Sequence, residues 1–239
     1  MDFGRTAVDY AARRAGFPEA FFDALAGRGW IAPGMRALDL GTGTGTVARG
    51  LARRGLSVSA IDPAPDLLAE AARLDAAAGV SVAYAEGRAE ALALADGAVS
   101  LVTAGQCWHW FDRARAAAEA RRVLAPDGRI VIAHFDWVPL PGNVVEATEA
   151  LIGAFNPAWT MGGGSGLYPA WLADLSSAGF ADLETFSFDV AQPYDHAAWR
   201  GRIRASAGVG AILGRDRVDA FDRTLAEILA ERFPEEPMA

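Results

Sequence analysis

One cysteine, Cys107, stands in the whole chain of 239 residues, so an internal disulfide framework and a cysteine-based zinc site are both excluded. Basic charge is also short: 22 Lys+Arg face 30 Asp+Glu, a net charge of −8. A protein this acidic lacks the electrostatic footprint that a phosphate backbone demands, so nucleic acid is not expected as a partner. No uninterrupted apolar run approaches the ~18 residues of a membrane span. The opening MDFGRTAVDYAARR carries charge where a secretory signal would be apolar. Internal repeats and low-complexity tails are missing too. What remains is a soluble, cytoplasmic enzyme or binding protein whose length suits one α/β domain.

Short β-rich runs at 36–40, 56–61, 80–85, 99–104 and 129–135 alternate with helical patterns at 44–54, 65–77 and 112–124. Each run has the length of a buried strand. Strand–helix–strand alternation at this spacing predicts an α/β fold, a doubly wound Rossmann-like sheet, mostly parallel, with helices on both faces. Two short helices are expected before it, at 6–15 and 18–27. Beyond it the pattern gives helices at 143–155 and 169–177, a glycine-rich loop at 159–168, a half-buried strand at 183–190, and helices at 195–207 and 216–233. The whole of 1–239 reads as a single domain: a helical cap (1–30), a cofactor-binding core (35–136), a substrate-side insertion or lid (137–182) and a C-terminal part (183–239).

The most informative stretch is Leu38-Asp39-Leu40-Gly41-Thr42-Gly43-Thr44-Gly45-Thr46, between the first strand and the first crossover helix. Glycine is needed where the backbone turns sharply and a ligand approaches closely, because a Cβ would obstruct both. Asp62 lies at the tip of the second strand, where an acidic side chain can accept both hydroxyl hydrogens of a ribose. The alternative is a tight turn with an incidental surface Asp. A dinucleotide fingerprint, G-x-G-x-x-G, would need a third glycine at position 46, which is Thr46. The glycines fall instead as G-x-G-x-G, with Asp39 two residues ahead of Gly41.

This D-x-G-x-G-x-G pattern resembles the first motif of class I S-adenosylmethionine-dependent methyltransferases, and the likeness runs along roughly 35–136. It implies S-adenosylmethionine as cofactor, S-adenosylhomocysteine as product, and methylation of a small-molecule acceptor at oxygen or nitrogen. Such a cofactor brings a sulfonium cation and no phosphate, so the loop has only to accommodate ribose and the methionine portion. The resemblance places Asp39, Gly41, Thr42, Gly43, Gly45, Asp62, Pro63 and Gln106 around it. Gly87-Arg88-Ala89-Glu90 follows the third strand, where the family recognises adenine. Ala89 N–H is positioned for a ring nitrogen, and Arg88 departs from the polar acceptor that many relatives keep there. The turn Leu124-Ala125-Pro126-Asp127-Gly128 resembles the family's L-x-P-G-G, with Asp127 replacing a glycine. The family's sheet closes with a hairpin of strands six and seven. The run 183–190 supplies the sixth, but nothing after it reads as a strand. The seventh is missing, lies beyond Ala239, or is supplied by a partner, and an open edge favours self-association, so a monomer or homodimer is expected.

After the fourth strand comes Gly105-Gln106-Cys107-Trp108-His109-Trp110-Phe111-Asp112, at the sheet end where ligands bind in open α/β folds. The segment is similar to the H-W-F-D signature of trans-aconitate methyltransferase-like proteins. His109 is the candidate catalytic residue, as a general base or a hydrogen-bond donor to substrate. The alternative is that His109 and Trp110 simply anchor the loop. Trp108 is a candidate for packing along the ligands. A nucleophilic Cys follows this strand in cytosine-C5 DNA methyltransferases, but there a Pro-Cys dipeptide sits on a basic protein. Here Gln-Cys sits on an acidic one, so Cys107 reads as buried and inert. His134 and Asp136 lack a second neighbouring acid, so no metal is expected. Tyr10 lies on a segment that in similar proteins folds over the cofactor. Phe135, Trp137, Trp159 and Tyr168 flank the insertion and suit an aromatic lid over an apolar or planar substrate. Two other readings stand beside this one: an NAD(P)-dependent oxidoreductase, and a non-catalytic S-adenosylmethionine-binding protein suggested by Arg88 and Asp127.

Overall fold

The computed structural model describes residues 16–238; the expected helix at 6–15, and Tyr10 with it, lie outside the described residues. In chain order the elements are α1 (Glu19–Gly27), β1 (Arg36–Leu40), α2 (Thr46–Arg53), β2 (Ser57–Asp62), α3 (Pro65–Ala78), β3 (Ala83–Glu86) and β4 (Val99–Gly105). A single 3-10 turn (Trp108–Trp110) follows, then α4 (Arg113–Val123), β5 (Leu124–Ala133), α5 (Val144–Phe155), α6 (Pro169–Ser177), α7 (His196–Arg204) and α8 (Arg215–Arg232). The described residues pack as two compact units, 16–135 with 168–186, and 136–167 with 187–238.

The larger unit holds a five-stranded sheet ordered β3-β2-β1-β4-β5, every pair parallel. Parallel strands need crossover connections, and helices cover both faces of the sheet. On one face Ala37, Val58, Ala60, Leu101 and Val131 pack with Phe22 and Leu25 of α1 and Val47 and Leu51 of α2. On the other, Leu38, Leu40 and Val102 pack with Ala116, Ala120 and Val123 of α4, and with Trp171 and Leu175 of α6. The chain winds outward from β1 through β2 to β3, then crosses back to β4 and β5. The strand order therefore reverses between β1 and β4, and a crevice opens at the carboxyl ends of those strands.

The sheet stops at β5. The predicted sixth strand, 183–190, forms no ladder, and Leu183 (40%) and Phe188 (45%) are exposed. Its apolar alternation serves another purpose at Phe186. The Arg28 guanidinium lies 3.7 Å from that ring, and Trp30 packs against it at 5.8 Å. Side-chain contacts rather than backbone pairing hold this segment. No strand follows it among the described residues.

The smaller unit is helical. Ile152 of α5, Trp199 and Ile203 of α7, and Phe221, Leu225 and Leu229 of α8 form its core. The Trp199 indole N–H donates to the buried Thr148 hydroxyl (3.0 Å). Asn143 and Asp195 cap α5 and α7 by accepting from Glu146 N–H and Ala198 N–H.

Candidate functional site

The glycine turn joins the end of β1 to α2, and two carboxylates fix its shape. Asp39, 1% exposed, accepts from the Thr42 hydroxyl (2.6 Å) and from the Thr103 hydroxyl (2.6 Å). Thr103 is its register partner on β4. Burial pushes the Asp39 carboxyl up to about 6, although the Thr103 and Thr42 hydroxyls and the Ala48 amide favour its charge. Asp62, at the end of β2, accepts from Gly43 N–H (2.9 Å) and from Ala64 N–H (2.9 Å). Burial raises its pKa too, against the pull of those two amides. A carboxylate offers about four lone-pair sites, so two amide bonds leave Asp62 capacity to accept from a diol. Gly43 itself is in the left-handed region (φ +55), and a Cβ built there would meet nothing within 4 Å among the described residues. The turn thus presents bare backbone, free of side chains of its own, beside an acceptor-rich carboxylate. That combination fits a ribose with a small cationic group attached.

Behind the turn lies a set of residues that sequence reasoning did not assemble. Arg49 of α2 donates to the Thr44 carbonyl (2.8 Å) and the Ala71 carbonyl (3.2 Å), and its Nε is 2.6 Å from Asp75 Oδ1. The other oxygen of Asp75 accepts the Tyr84 hydroxyl (2.8 Å). Gly45 completes the contact: its φ is +77, and a Cβ there would come within 2.3 Å of the Tyr84 oxygen. Elements α2, α3 and β3 converge on the third glycine, and no spacing rule in the sequence announces that.

At the β4–β5 side, Gln106 holds a left-handed backbone (φ +58) that a non-glycine residue adopts only at a cost of order 1–3 kcal/mol. Its N–H donates to the Ala133 carbonyl (2.9 Å), and its side-chain amide donates to the Phe135 carbonyl. The chain after β4 is thereby tied to the chain after β5. Cys107 is buried, its thiol donates to the Leu40 carbonyl (3.1 Å), and burial beside Asp39 and Asp62 pushes that thiol well above its ordinary range. Both burial and the raised pKa disfavour the thiolate that a nucleophile needs. His109 is exposed on the 3-10 turn, with the His134 ring 5.4 Å away. Among the described residues no His, Cys, Asp and Glu cluster suits a metal ion.

Several expected contacts take other positions. Trp108 is not available to a ligand: it is fully buried, and its indole N–H donates to Asp174 of α6 (3.3 Å). The rest of its surface completes the core under α4. Thr42 shapes the turn, since its N–H donates to the Ile61 carbonyl, its carbonyl accepts from Gly45 N–H, and its hydroxyl serves Asp39. Asp39 likewise acts on the turn from within. After β3, Arg88 is exposed and Ala89 is buried at 3%, while Pro63 stands exposed beside Asp62. Trp137 and Trp159 belong to the smaller unit's own packing. Trp137 donates to Glu149 (2.8 Å) and packs against Trp199, and Trp159 closes over Gly208 and Gly162.

Residues 38–132 match the methyltransferase-domain family. An uncharacterised methyltransferase of Mycobacterium bovis is 40% identical over 153 residues, which cover 61% of this chain and 59% of that protein. The demethylmenaquinone methyltransferase of Thermus thermophilus is 44% identical over 107 residues, covering 44% of this chain and 49% of that one. The chain thus spans about half to three fifths of the length of the relatives it matches. Among solved structures, the YcgJ protein of Bacillus subtilis shares the fold with a TM-score of 0.59 at 21% identity, over 85% of this chain and 82% of that one. Over 38–132, then, the chain is similar to methyltransferase domains, and its sheet has the Rossmann-like order.

Proposed function

We propose that this chain is an S-adenosylmethionine-dependent methyltransferase acting on a small molecule at oxygen or nitrogen, with all of 1–239 serving that one activity. One observation carries the reading: the Asp62 carboxylate anchors Gly43 N–H at 2.9 Å at the point where the strand order reverses. The matched domain and the methyl-transferring Thermus relative support the methyl-transfer part of this reading. So does the H-W-F-D segment, through its likeness to enzymes of small acids.

When bound, S-adenosylmethionine supplies a methyl group already activated on a positively charged sulfur. The chain's own residues then have three tasks. Asp62 accepts the ribose hydroxyls with the lone pairs that Gly43 and Ala64 leave. The backbone from Gly41 to Gly45 offers a surface without side chains. The carboxyl ends of β4 and β5 hold the acceptor in line, and orientation of this kind is worth roughly 7–11 kcal/mol of barrier. A base is needed only where the acceptor oxygen or nitrogen carries a proton, and His109 is the exposed side chain suited to take it.

The reading is tested by incubating the protein with methyl-labelled S-adenosylmethionine and phenol, carboxylate and amine acceptors, followed by mass spectrometry. Transfer of one labelled methyl to one acceptor class is the expected result. Binding of the donor without transfer to any of these acceptor classes would favour the non-catalytic S-adenosylmethionine-binding reading.

A further inference from the structure

Between β3 and β4 the chain runs through 87–98 outside any helix or strand, and two residues of α4 hold the second half of that segment. Glu119 and Arg122, one turn apart, pair through both carboxylate oxygens, with Arg122 Nε and Nη2 each 2.8 Å from Glu119. The remaining guanidinium N–H groups reach the segment itself. They donate to the Leu92 carbonyl (3.0 Å), the Leu94 carbonyl (2.7 Å) and the Asp96 carboxylate (2.9 Å). All of the donors on the arginine fork are thus used. Glu119 also accepts from Leu92 N–H (2.7 Å), and the Arg122 carbonyl accepts from Gly97 N–H (3.0 Å). The bonds from Arg122 hold the Glu119 carboxyl down to about 2, so the pair stays ionised at any ordinary pH.

The first half of the same segment lies beside the site. Glu86, the last residue of β3, is the register partner of Asp62, and Gly87 N–H donates to the Asp62 carbonyl (3.2 Å). Arg88 and Ala91 then pair as an antiparallel bridge, which folds 88–91 into a tight bend. Ala89 in the bend and Leu92 just after it are buried in a core shared with Ala116 and Ala120 of α4. The Glu90 carboxylate accepts from Asp112 N–H (2.9 Å) at the head of that helix. The bend therefore stands next to Asp62 on the side away from β1, and Leu92 is where it meets the α4 pair. In a nucleoside the base and the 5′ arm leave the sugar on opposite flanks of the ring oxygen. With the arm over the glycine turn of β1, the base faces outward, to the chain that leaves β3. Resting on the methyl-transfer reading above, we propose that Glu119 and Arg122 are positioning residues for that base: they hold the 88–91 bend where it meets the nucleoside on Asp62. A wall held in advance costs nothing to order on binding, whereas a released one must be ordered by the ligand. Loss of the pair is therefore felt by ligands that carry a base and not by those that lack one.

The test uses the full chain and two ligands that share ribose and homocysteine but differ in the base. S-adenosylhomocysteine is measured by calorimetry, and S-ribosylhomocysteine, which has no base, by displacement of the first. Absence of heat with S-adenosylhomocysteine in the wild type sinks the methyl-transfer reading itself, whereas the comparisons between the two ligands bear on the pair alone. Arg122→Lys keeps the charge but gathers its donors at one point. It is expected to weaken S-adenosylhomocysteine by about tenfold and S-ribosylhomocysteine by less than about twofold. Glu119→Gln keeps an acceptor for Leu92 N–H and is expected to fall between Arg122→Lys and the wild type. Asp62→Ala, by contrast, should weaken both ligands alike. A merely structural pair would lower stability in denaturant and leave the ratio of the two affinities unchanged. Hydrogen exchange on the wild type needs no variant: S-adenosylhomocysteine should slow the amides of 87–92, and S-ribosylhomocysteine should not. The proposal is overturned if either folded variant keeps the wild-type ratio, or if both ligands slow those amides equally.

Discussion

Two carboxylates on adjacent parallel strands do different work. Asp62 faces the crevice and holds the turn by Gly43 N–H; Asp39 is sealed beneath it by Thr42 and Thr103. Asp62→Ala is expected to weaken S-adenosylhomocysteine binding by about 10–100-fold, since it removes a charged acceptor from both ribose and loop. Unchanged affinity in calorimetry would contradict its role. Asp39 is expected to act on stability instead. Its carboxyl titrates near 6 when folded and at 3.8 by reference, so the folded state holds the proton more tightly. Its contribution is fully present below about pH 4 and is lost as pH rises to about 6, an effect of order 3 kcal/mol. In chemical denaturation, wild type minus Asp39→Asn should show that fall across pH 4–6 and a plateau above; a difference that rises with pH would refute it. The sequence announced Asp39 and Asp62 through their spacing around the glycines. Thr103 stayed invisible because its partnership exists only in the register of β1 on β4.

At the scale of elements, the five parallel strands and the helices between them were legible: the central β1, β2 and β4, buried on both faces, must be apolar and short, and the alternation of the pattern carries the edge strands. The sixth strand was not. Alternation in Leu-Glu-Thr-Phe-Ser-Phe-Asp-Val describes a two-faced segment, but no ladder partner follows from it, and Arg28 and Trp30 hold Phe186 instead. The packing behind the turn was equally unreadable, since Arg49, Asp75 and Tyr84 come from three elements. It yields a sharp test. Gly45→Ala meets both a left-handed backbone and the Tyr84 oxygen, and should weaken S-adenosylhomocysteine binding. Tyr84→Phe removes that oxygen, so the double variant should recover part of the loss, the remainder being backbone strain of about 1–2 kcal/mol. Strict additivity of the two substitutions in a double-mutant cycle would show that the turn and Tyr84 do not interact.

For the whole molecule, periodicity reports that a helix has a buried stripe but not what covers it. The stripes of α5, α7 and α8 cover one another, so Trp137 and Trp159, expected at a lid, take their places in a helical unit with its own core. Phe221 is fully buried there, and Phe221→Ala should cost about 3–5 kcal/mol of that unit's stability in denaturant unfolding; a loss under 1 kcal/mol would mean the core is not as described. Function is a property of the site and not of the fold, so the central claim concerns what the turn and Asp62 receive. Calorimetry on the purified, ligand-stripped chain with S-adenosylhomocysteine and, separately, with NADH measures that directly. Saturable one-to-one binding of the first and none of the second is the predicted result; heat with NADH alone would contradict it.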